Sequence, residues 1–573
     1  MKKIFITLLF AALFVSCYQD KGNYDYTLSD MNEITDVIFT PAIADGNLIE
    51  LQQALNEEDR DCKITVDIKQ TKSENYDNLD FYWKISGTNI KDTVVETRGF
   101  LDIKLPLAQD LKYNVLLQIY DRTTTLSYYR SFKVETRPIF KNSLFVLHGK
   151  EGERKLGNIE IIEKDTMIYS DAYAKLFGEE SNPFINSEAL CYSTFHDNSN
   201  GISNSQHAHF MTVFDSDGKA SVYDPYGLKF TYSNTATFRP ASESFTFARN
   251  IQVGSVYYSN FFRTVISKEG QFYIGNHFPI LYKPGHNIEI GETQNNTHER
   301  DYRVTAASIT PTRVVLWDAK YNRFLYLVHN EWLPQYKDQV VSNFYLSNPV
   351  QNANVDFSAL EKSPEGLKAV YSYIQYVENF NSDSKPYFIF HDETNNEFWR
   401  YELESQAIGE GKDNKANMTR ANGEPDAAFT IKGQRLENFE PGEQLNTIVY
   451  NSYFTTNYLF YANGGTVYRY NISNGDNTVM YKAPEGYTVS VIKFRNEDSS
   501  DFMDNLGLFM SIGLNNGDNG AVAEILLQTS SDVDETFPTL FYEKDKEGNY
   551  LFGNIKDLQF TPFFQYKIPD HLK

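Results

Sequence analysis

The sequence predicts an all-β protein with two folded parts, an N-terminal immunoglobulin-like β-sandwich followed by a β-propeller of about seven blades. Strand-favouring residues dominate the composition, which includes 40 Tyr, 42 Phe and 15% aromatic residues overall. Apolar and polar residues alternate with period two in the first part, and hairpins recur throughout the second. Helical periodicity is confined to Asp171–Phe177 and Glu365–Ile374, which we expect to form short helices on loops.

Residues 1–16 have the pattern of a bacterial export signal that ends at Cys17. Two lysines precede an apolar run over residues 4–15, which is shorter than the about 20 residues needed to span a bilayer. Ser16 is small, which suits a signal peptidase, and Cys17 offers a thiol for attachment of a diacylglycerol. We therefore expect residues 1–16 to be removed and Cys17 to be lipidated.

The polar stretch 17–35 carries little periodicity and is typical of a tether between a lipid and a folded domain. Residues 36–137 then show the alternation and the turns of a small β-sandwich. Trp83 is expected to fill the core of this sandwich. The apolar positions that alternate with polar ones are Ile64, Val66, Ile68, Phe81, Trp83, Ile85, Tyr113, Val115, Leu117, Ile119, Phe132 and Val134.

Residues 138–573 contain a repeated unit in which an apolar strand, a polar turn and an aromatic-rich strand follow one another. A single hairpin cannot bury its apolar face, so repeated hairpins must stack or close around an axis. Seven such units predict a propeller, and stacked sandwiches are the alternative. The hairpins are Leu144–Leu147 with Ile159–Ile162, Phe210–Phe214 with Ser221–Tyr223, Thr264–Ile266 with Phe272–Ile274, Arg313–Trp317 with Phe324–Val328, Tyr387–Phe390 with Phe398–Tyr401, Tyr458–Tyr461 with Val467–Tyr470, and Leu508–Ile512 with Ala521–Leu527.

The formal net charge of -23 argues against nucleic acid as a partner, because an acidic body repels phosphate backbones and no basic stripe offsets it. Beyond Cys17 the chain has two cysteines, Cys62 and Cys191, which lie too far apart in sequence to indicate a disulfide framework. We expect both to be buried free thiols.

The stretch Cys17-Tyr18-Gln19-Asp20-Lys21-Gly22-Asn23-Tyr24-Asp25-Tyr26, followed by this sandwich, resembles the PKD-like family of surface lipoproteins of Bacteroidota. The resemblance covers roughly residues 17–137. Lys84-Ile85-Ser86-Gly87-Thr88 stands where ordinary PKD domains have Asp-Phe-Gly-Asp-Gly. The resemblance implies an immunoglobulin/PKD-like module in a lipoprotein anchored on the outer face of the outer membrane. It also implies SusC/SusD-type nutrient importers as partners.

No sequence motif indicates a nucleophile, a metal site or a cofactor, so we expect no cofactor and no enzyme activity. Asp215-Ser216-Asp217-Gly218 has the acid spacing of a calcium loop, but it lacks the later acidic ligand that an EF-hand requires and lies in a hairpin turn, where Asp and Gly are expected, which favours a structural turn. His207 and His209 alternate on one strand without a third ligand fixed nearby, which favours ordinary histidines over a metal site.

Three tryptophans of the second part, Trp317, Trp332 and Trp399, are the candidate ligand-binding residues. Each indole could stack on a sugar ring or grip a peptide side chain, although packing in a sheet core is favoured for all three because large aromatic residues dominate such cores. The leading hypothesis is a surface lipoprotein that captures a glycan or peptide for an importer. A propeller glycosidase or lyase and a scaffold that contacts no nutrient are the other two hypotheses.

Overall fold

A computed structural model of the chain divides into two compact units at Pro138, and each unit is described by itself. The structure describes these residues: 32–43, 47–52, 59–73, 75–87, 90–96, 99–106, 112–137, 140, 142–161, 166–178, 182–196, 207–216, 219–228, 230–233, 247–253, 262–275, 282–287, 301–310, 313–328, 344–347, 357–375, 385–407, 427–451, 454, 458–495 and 508–561.

The first unit is a sandwich of two sheets with strand orders β1-β3-β6 and β2-β8-β7-β4-β5. Its strands are β1 (Ile34–Thr40), β2 (Leu48–Gln52), β3 (Asp59–Gln70), β4 (Leu79–Gly87), β5 (Ile90–Glu96), β6 (Phe100–Pro106), β7 (Lys112–Asp121) and β8 (Leu126–Arg137). Trp83 has no exposed surface and lies among the alternating apolar residues of both sheets. The expected sandwich and its central tryptophan are confirmed.

The described part of the second unit contains six sheets, one of which joins two four-stranded meanders through parallel pairing of Tyr282–Asn287 with Phe344–Ser347. Counting these two meanders separately gives seven blades, which we call blades 1 to 7. Blade 1 joins β9 (Ser143–His148), β10 (Lys155–Ile161) and β11 (Thr166–Tyr169) to β36 (Ile555–Thr561); blade 2 contains β12 (Ser187–His196), β13 (His207–Asp215), β14 (Ala220–Tyr223) and β15 (Phe230–Ser233); blade 3 contains β16 (Phe247–Val253), β17 (Phe262–Ser267), β18 (Phe272–Gly275) and β19 (Tyr282–Asn287); blade 4 contains β20 (Val304–Thr310), β21 (Arg313–Asp318), β22 (Arg323–Val328) and β23 (Phe344–Ser347). Blade 5 contains β24 (Lys368–Gln375), β25 (Lys385–Asp392), β26 (Glu397–Ala407) and β27 (Ala427–Arg435); blade 6 contains β28 (Tyr458–Asn463), β29 (Thr466–Asn471) and β30 (Asn477–Lys482); blade 7 contains β31 (Thr488–Phe494), β32 (Phe509–Asn516), β33 (Asn519–Leu526), β34 (Leu540–Tyr542) and β35 (Phe552–Gly553).

Contacts between the innermost elements of successive blades form a ring, which makes the unit a seven-bladed propeller. The order around the ring is β36, β12, β16, β20, β24, the short 3-10 helix Leu445–Thr447, β31 and again β36. In blade 6 the inner position is filled by Val449, which bridges Phe460 on β28. The C-terminal strand β36 pairs antiparallel with β9, so the end of the unit completes its first blade.

The seven hairpins expected from the sequence are the two central strands of six blades and the first two strands of the three-stranded blade 6. Their apolar faces pack against the neighbouring blades, so successive blades share hydrophobic clusters. Blades 5 and 6 meet around Tyr373, whose ring stacks on Tyr387 at 5.0 Å and on Tyr450 at 4.4 Å. None of the sheets closes into a barrel within the described residues.

One of the two expected helices is confirmed, and the other is wrong. Residues Ala172–Phe177 form helix α1, in which Asp171 caps the N-terminus by accepting a hydrogen bond from the Ala174 amide. The segment Glu365–Ile374 lies largely in strand β24, where the pairing register shifts between Ala369 and Tyr371. That bulge breaks the period-two pattern and gives the apolar residues a helix-like spacing. In the part of the chain that the structure describes, no helix is long and apolar enough to cross a membrane.

Candidate binding site at the channel mouth

The inner strands share a bulge near their first residue. Six of them show a register shift there, each leaving one extra residue outside the ladder: Glu188 on β12, Ala248 on β16, Thr305 on β20, Val370 on β24, Ser490 on β31 and Lys556 on β36. Bulges redirect a side chain and are common next to binding sites. These bulges lie near the first residues of the strands that line the ring, and we call the end of the propeller axis that they surround the channel mouth.

Charged side chains from blades 1 and 2 meet at the channel mouth. Glu188 Oε2 lies 2.6 Å from Lys556 Nζ, and its other oxygen lies 2.8 Å from Arg154 Nη1. The Arg154 side chain is 8% exposed and also donates to the Ser187 carbonyl. One carboxylate therefore bridges two cations that come from opposite ends of the unit's sequence.

A second ion pair continues this cluster toward blade 7. Lys493 Nζ on β31 lies 2.8 Å from Asp557 Oδ1 on β36. The other oxygen of Asp557 accepts a hydrogen bond from the Leu190 backbone amide at 2.8 Å, so this carboxylate also connects to blade 2. We call Arg154, Glu188, Lys493, Lys556 and Asp557 the mouth cluster.

Electrostatics keep the Glu188 carboxylate of the mouth cluster ionised. Burial raises the pKa of Glu188, but hydrogen bonds from Lys556 and Arg154 lower it by more, so its pKa lies below the usual 4.5. The cluster holds three cations and two anions, and Lys556 and Lys493 keep 39% and 24% of their side chains exposed. Such partly exposed ion pairs can exchange partners with a charged or polar ligand at modest cost.

The tryptophans singled out in the sequence lie elsewhere. Trp317 is fully buried, with its ring 5.0 Å from Phe390, and Trp399 is 4% exposed in the same cluster between blades 4 and 5. Neither indole has a face open to a ligand, so both rings pack in a sheet core. The prediction that Trp317 and Trp399 bind a ligand is wrong. Trp332 and Cys17 lie outside the described residues.

The structure describes only some of the other residues singled out in the sequence. Asp215 is buried and accepts a hydrogen bond from Ser187 Oγ at 2.8 Å, which fits a structural role, whereas Asp217 and Gly218 lie outside the described residues. His207 and His209 belong to β13, but their side chains are outside the described part. Within the residues that the structure covers, no three His, Cys, Asp or Glu side chains are grouped so as to hold a metal ion.

Cys62 and Cys191 are both buried, and neither forms a disulfide in the described part of the chain, as expected. Burial, with a smaller contribution from Asp102, raises the pKa of Cys62 to about 12. A thiol with so high a pKa is not a nucleophile at neutral pH.

Sequence reasoning missed the mouth cluster entirely. Its members are ordinary charged residues separated by up to about four hundred positions, and they meet because β36 returns to blade 1. The sequence signal that could have indicated the mouth cluster is a repeated break, near the start of the inner strands, in the alternation of apolar and polar residues. It has no common residue type, since the bulged positions range from Glu188 to Val370.

Solved structures with similar folds include a quinonprotein alcohol dehydrogenase-like protein from Bacteroides thetaiotaomicron VPI-5482. It is 11% identical, with a TM-score of 0.36 over 89% of this chain and 96% of that chain. The WD40 domain of SCAP from fission yeast is 10% identical, with a TM-score of 0.30 over 73% of this chain and 92% of that chain. No curated protein matches the chain. Residues 17–183 match the PKD-like family, from Cys17 through the sandwich and into blade 1, which confirms the PKD-like resemblance.

Proposed function

We propose that this protein is a lipoprotein of the outer-membrane surface that binds a nutrient, a glycan or a peptide, and serves a SusC/SusD-type importer as an accessory component. The observation that carries the proposal is the PKD-like match, which starts at Cys17, the residue that directly follows the export signal. A lipid on Cys17 anchors the chain without a membrane-spanning segment, with the sandwich as a spacer.

The propeller supports the binding part of this proposal. Its mouth cluster combines fixed backbone positions on inner strands with partly exposed charged groups, which is the composition of a polar recognition site. Both carboxylates of the mouth cluster are bound by cations, which supports a binding protein over a glycosidase or lyase that needs a carboxyl group available for acid–base catalysis.

Anchoring is tested by metabolic labelling of cells with an alkyne fatty acid. The wild-type chain should carry the label, sediment with outer membranes and be cut by protease added to intact cells. A Cys17→Ala variant should lose the label and leave the membrane fraction. Wild-type protein without label, or protected from protease unless cells are lysed, would contradict the proposed location.

Ligand binding is tested with the full chain in detergent against pools of glycans and peptides. The variant Glu188→Gln/Lys556→Met should weaken binding at the channel mouth. Lys150→Met/Asp518→Asn is the matched control, because it removes an ion pair of 2.8 Å whose side chains are 59% and 71% exposed. Copurification of importer subunits without any ligand binding would favour the scaffold hypothesis instead.

A further inference from the structure

One face of the sandwich presents aromatic side chains to solvent in register. Tyr82 on β4 pairs with Gln118 on β7, and Gln118 pairs with Tyr129 on β8. Directly paired residues project from the same face of a sheet. Their chain neighbours Trp83 and Leu117 are fully buried in the core, so this row faces outward.

The adjacent row adds a third tyrosine. Asp80 pairs with Tyr120, and Tyr120 pairs with Ser127. Tyr129 is 57% exposed, while Tyr82 and Tyr120 are half-buried. Three phenol rings thus surround Gln118, whose Nε2 donates to Ser127 Oγ at 3.0 Å. We call Tyr82, Gln118, Tyr120, Ser127 and Tyr129 the tyrosine platform.

The tyrosine platform is electrically neutral on a strongly acidic chain. Its five side chains carry no charge. The charged residues of the two rows are Asp80, whose carboxylate lies 3.6 Å from Arg122 Nε, and Glu96, which pairs with Tyr82 at the end of its row. The chain as a whole has a net charge of -23. A surface of this kind suits a neutral ligand that offers both apolar faces and hydroxyl groups, because none of the five platform side chains brings a fixed charge that must be desolvated on binding.

The spacing of the rings indicates an extended chain as the occupant. Tyr82 and Tyr129 are two strands apart, which places their backbones about 10 Å from each other. That distance suits every second sugar ring of an extended polysaccharide, whose C–H faces pack on phenol rings while the amide and hydroxyl groups bond sugar hydroxyls. We propose that the tyrosine platform binds a neutral polysaccharide, an inference that rests on the proposed function and names the class of its ligand.

The test is affinity electrophoresis of the full chain in native gels that contain neutral polysaccharides, with an acidic polysaccharide as the comparison. Wild-type protein should be retarded by at least one neutral polymer. Tyr82→Ala/Tyr129→Ala should weaken this binding about tenfold or more, because two stacking surfaces are lost. Leu126→Ala is the matched control, since Leu126 is 54% exposed on the same strand but outside both rows.

A second variant covers the case in which the double variant fails to fold. Gln118→Glu keeps all three rings and adds a charge at their centre, so it should weaken binding of a neutral polymer as well. Binding that persists in both variants would overturn the proposal. If it persists there but is lost in Glu188→Gln/Lys556→Met, the polysaccharide site lies at the channel mouth, and the proposed function stands without the tyrosine platform.

Two further outcomes also separate the proposals. A labelled, surface-exposed protein that copurifies with an importer but binds no polysaccharide would overturn the tyrosine platform and leave the accessory role intact. Tyrosine-dependent copurification of a protein partner, without retardation by any neutral polysaccharide, would replace the glycan by a protein as the occupant.

Discussion

Lys556 and Glu188 form a 2.6 Å ion pair between the last strand of the propeller and the first strand of blade 2. Lys556 belongs to β36, which closes the ring, and both residues occupy bulges of inner strands. Because Glu188 also binds Arg154 at 2.8 Å, a single carboxylate holds two cations at the point of closure. Removal of the Glu188 carboxylate must therefore change the free energy of unfolding by a different amount from removal of the Lys556 cation.

We expect Glu188→Gln to lower the free energy of unfolding by about 2–3 kcal/mol, since it leaves the buried Arg154 guanidinium without its charged partner. Lys556→Met should cost about 1 kcal/mol or less, because Glu188 retains Arg154. Urea unfolding of the two variants beside wild type measures both values. Equal losses would show that Arg154 does not share the carboxylate.

The pair Arg495 and Glu524 in blade 7 is more deeply buried, with side-chain exposures of 4% and 0%. The guanidinium donates two hydrogen bonds of 2.9 and 2.7 Å, and Ser511 Oγ donates a third to the same carboxylate. Glu524→Gln should therefore destabilise the chain by about 3–5 kcal/mol, because a buried cation loses its counter-charge.

The exposed pair Lys150 and Asp518 is the control for this prediction. Asp518→Asn should change the free energy of unfolding by less than about 1 kcal/mol. Denaturation midpoints of both variants provide the comparison, and a Glu524→Gln loss as small as that of Asp518→Asn would contradict the assigned role of the buried pair.

The hairpins of the blades were predictable from the sequence, whereas the inner strands were not. Central strands such as β21 and β25 are buried on both faces and end in polar turns, so apolar runs and turn residues mark them directly. Inner strands carry a bulge that shifts the alternation, and at Val370 this shift led to an incorrect helix. The mouth cluster depends on these bulges and on ring closure, and neither leaves a local pattern that identifies a charged residue as part of a site.

The exposure of the tryptophans could not be predicted from the sequence either. Trp317 ends an apolar strand beside a turn, which fits either a loop-facing ring or a core ring. Its burial follows from blade 5 packing against it, with Phe390 and Phe388 in the same cluster. Contacts between blades set the exposure of such a residue, and they become visible once the ring order is known.

Gly520 provides a test of the packing at the closing strand. A Cβ added to Gly520 would overlap the Gly553 carbonyl oxygen and lie 2.9 Å from Ile555 Cδ1. Gly520→Ala should therefore lower the thermal midpoint by several degrees, because β35 and the start of β36 must move. Gly517→Ala has no atom within 4 Å of its new Cβ and a φ of +60°, so it should cost only about 1–2 kcal/mol of backbone strain.

His148 couples the stability of blade 1 to pH. Its Nδ1 accepts a hydrogen bond of 3.0 Å from the Gly553 amide, and its Nε2 donates to the Ser170 carbonyl at 2.8 Å. These partners require the neutral ring with its proton on Nε2, since a proton on Nδ1 would oppose the Gly553 amide.

Burial lowers the pKa of His148 below its ordinary 6.5, although the Ser170 carbonyl raises it in part. The unfolded chain thus takes up a proton near pH 6.5 while the folded chain does not. The stabilising contribution is fully present above 6.5 and is lost as the pH falls toward the folded-state pKa. We expect His148→Leu to be less stable than wild type at about pH 7.5, with a difference that shrinks as the pH falls to about 5. Thermal midpoints of both proteins across this range measure the difference, and a gap that stays constant or widens on acidification would show that His148 is protonated in the folded chain.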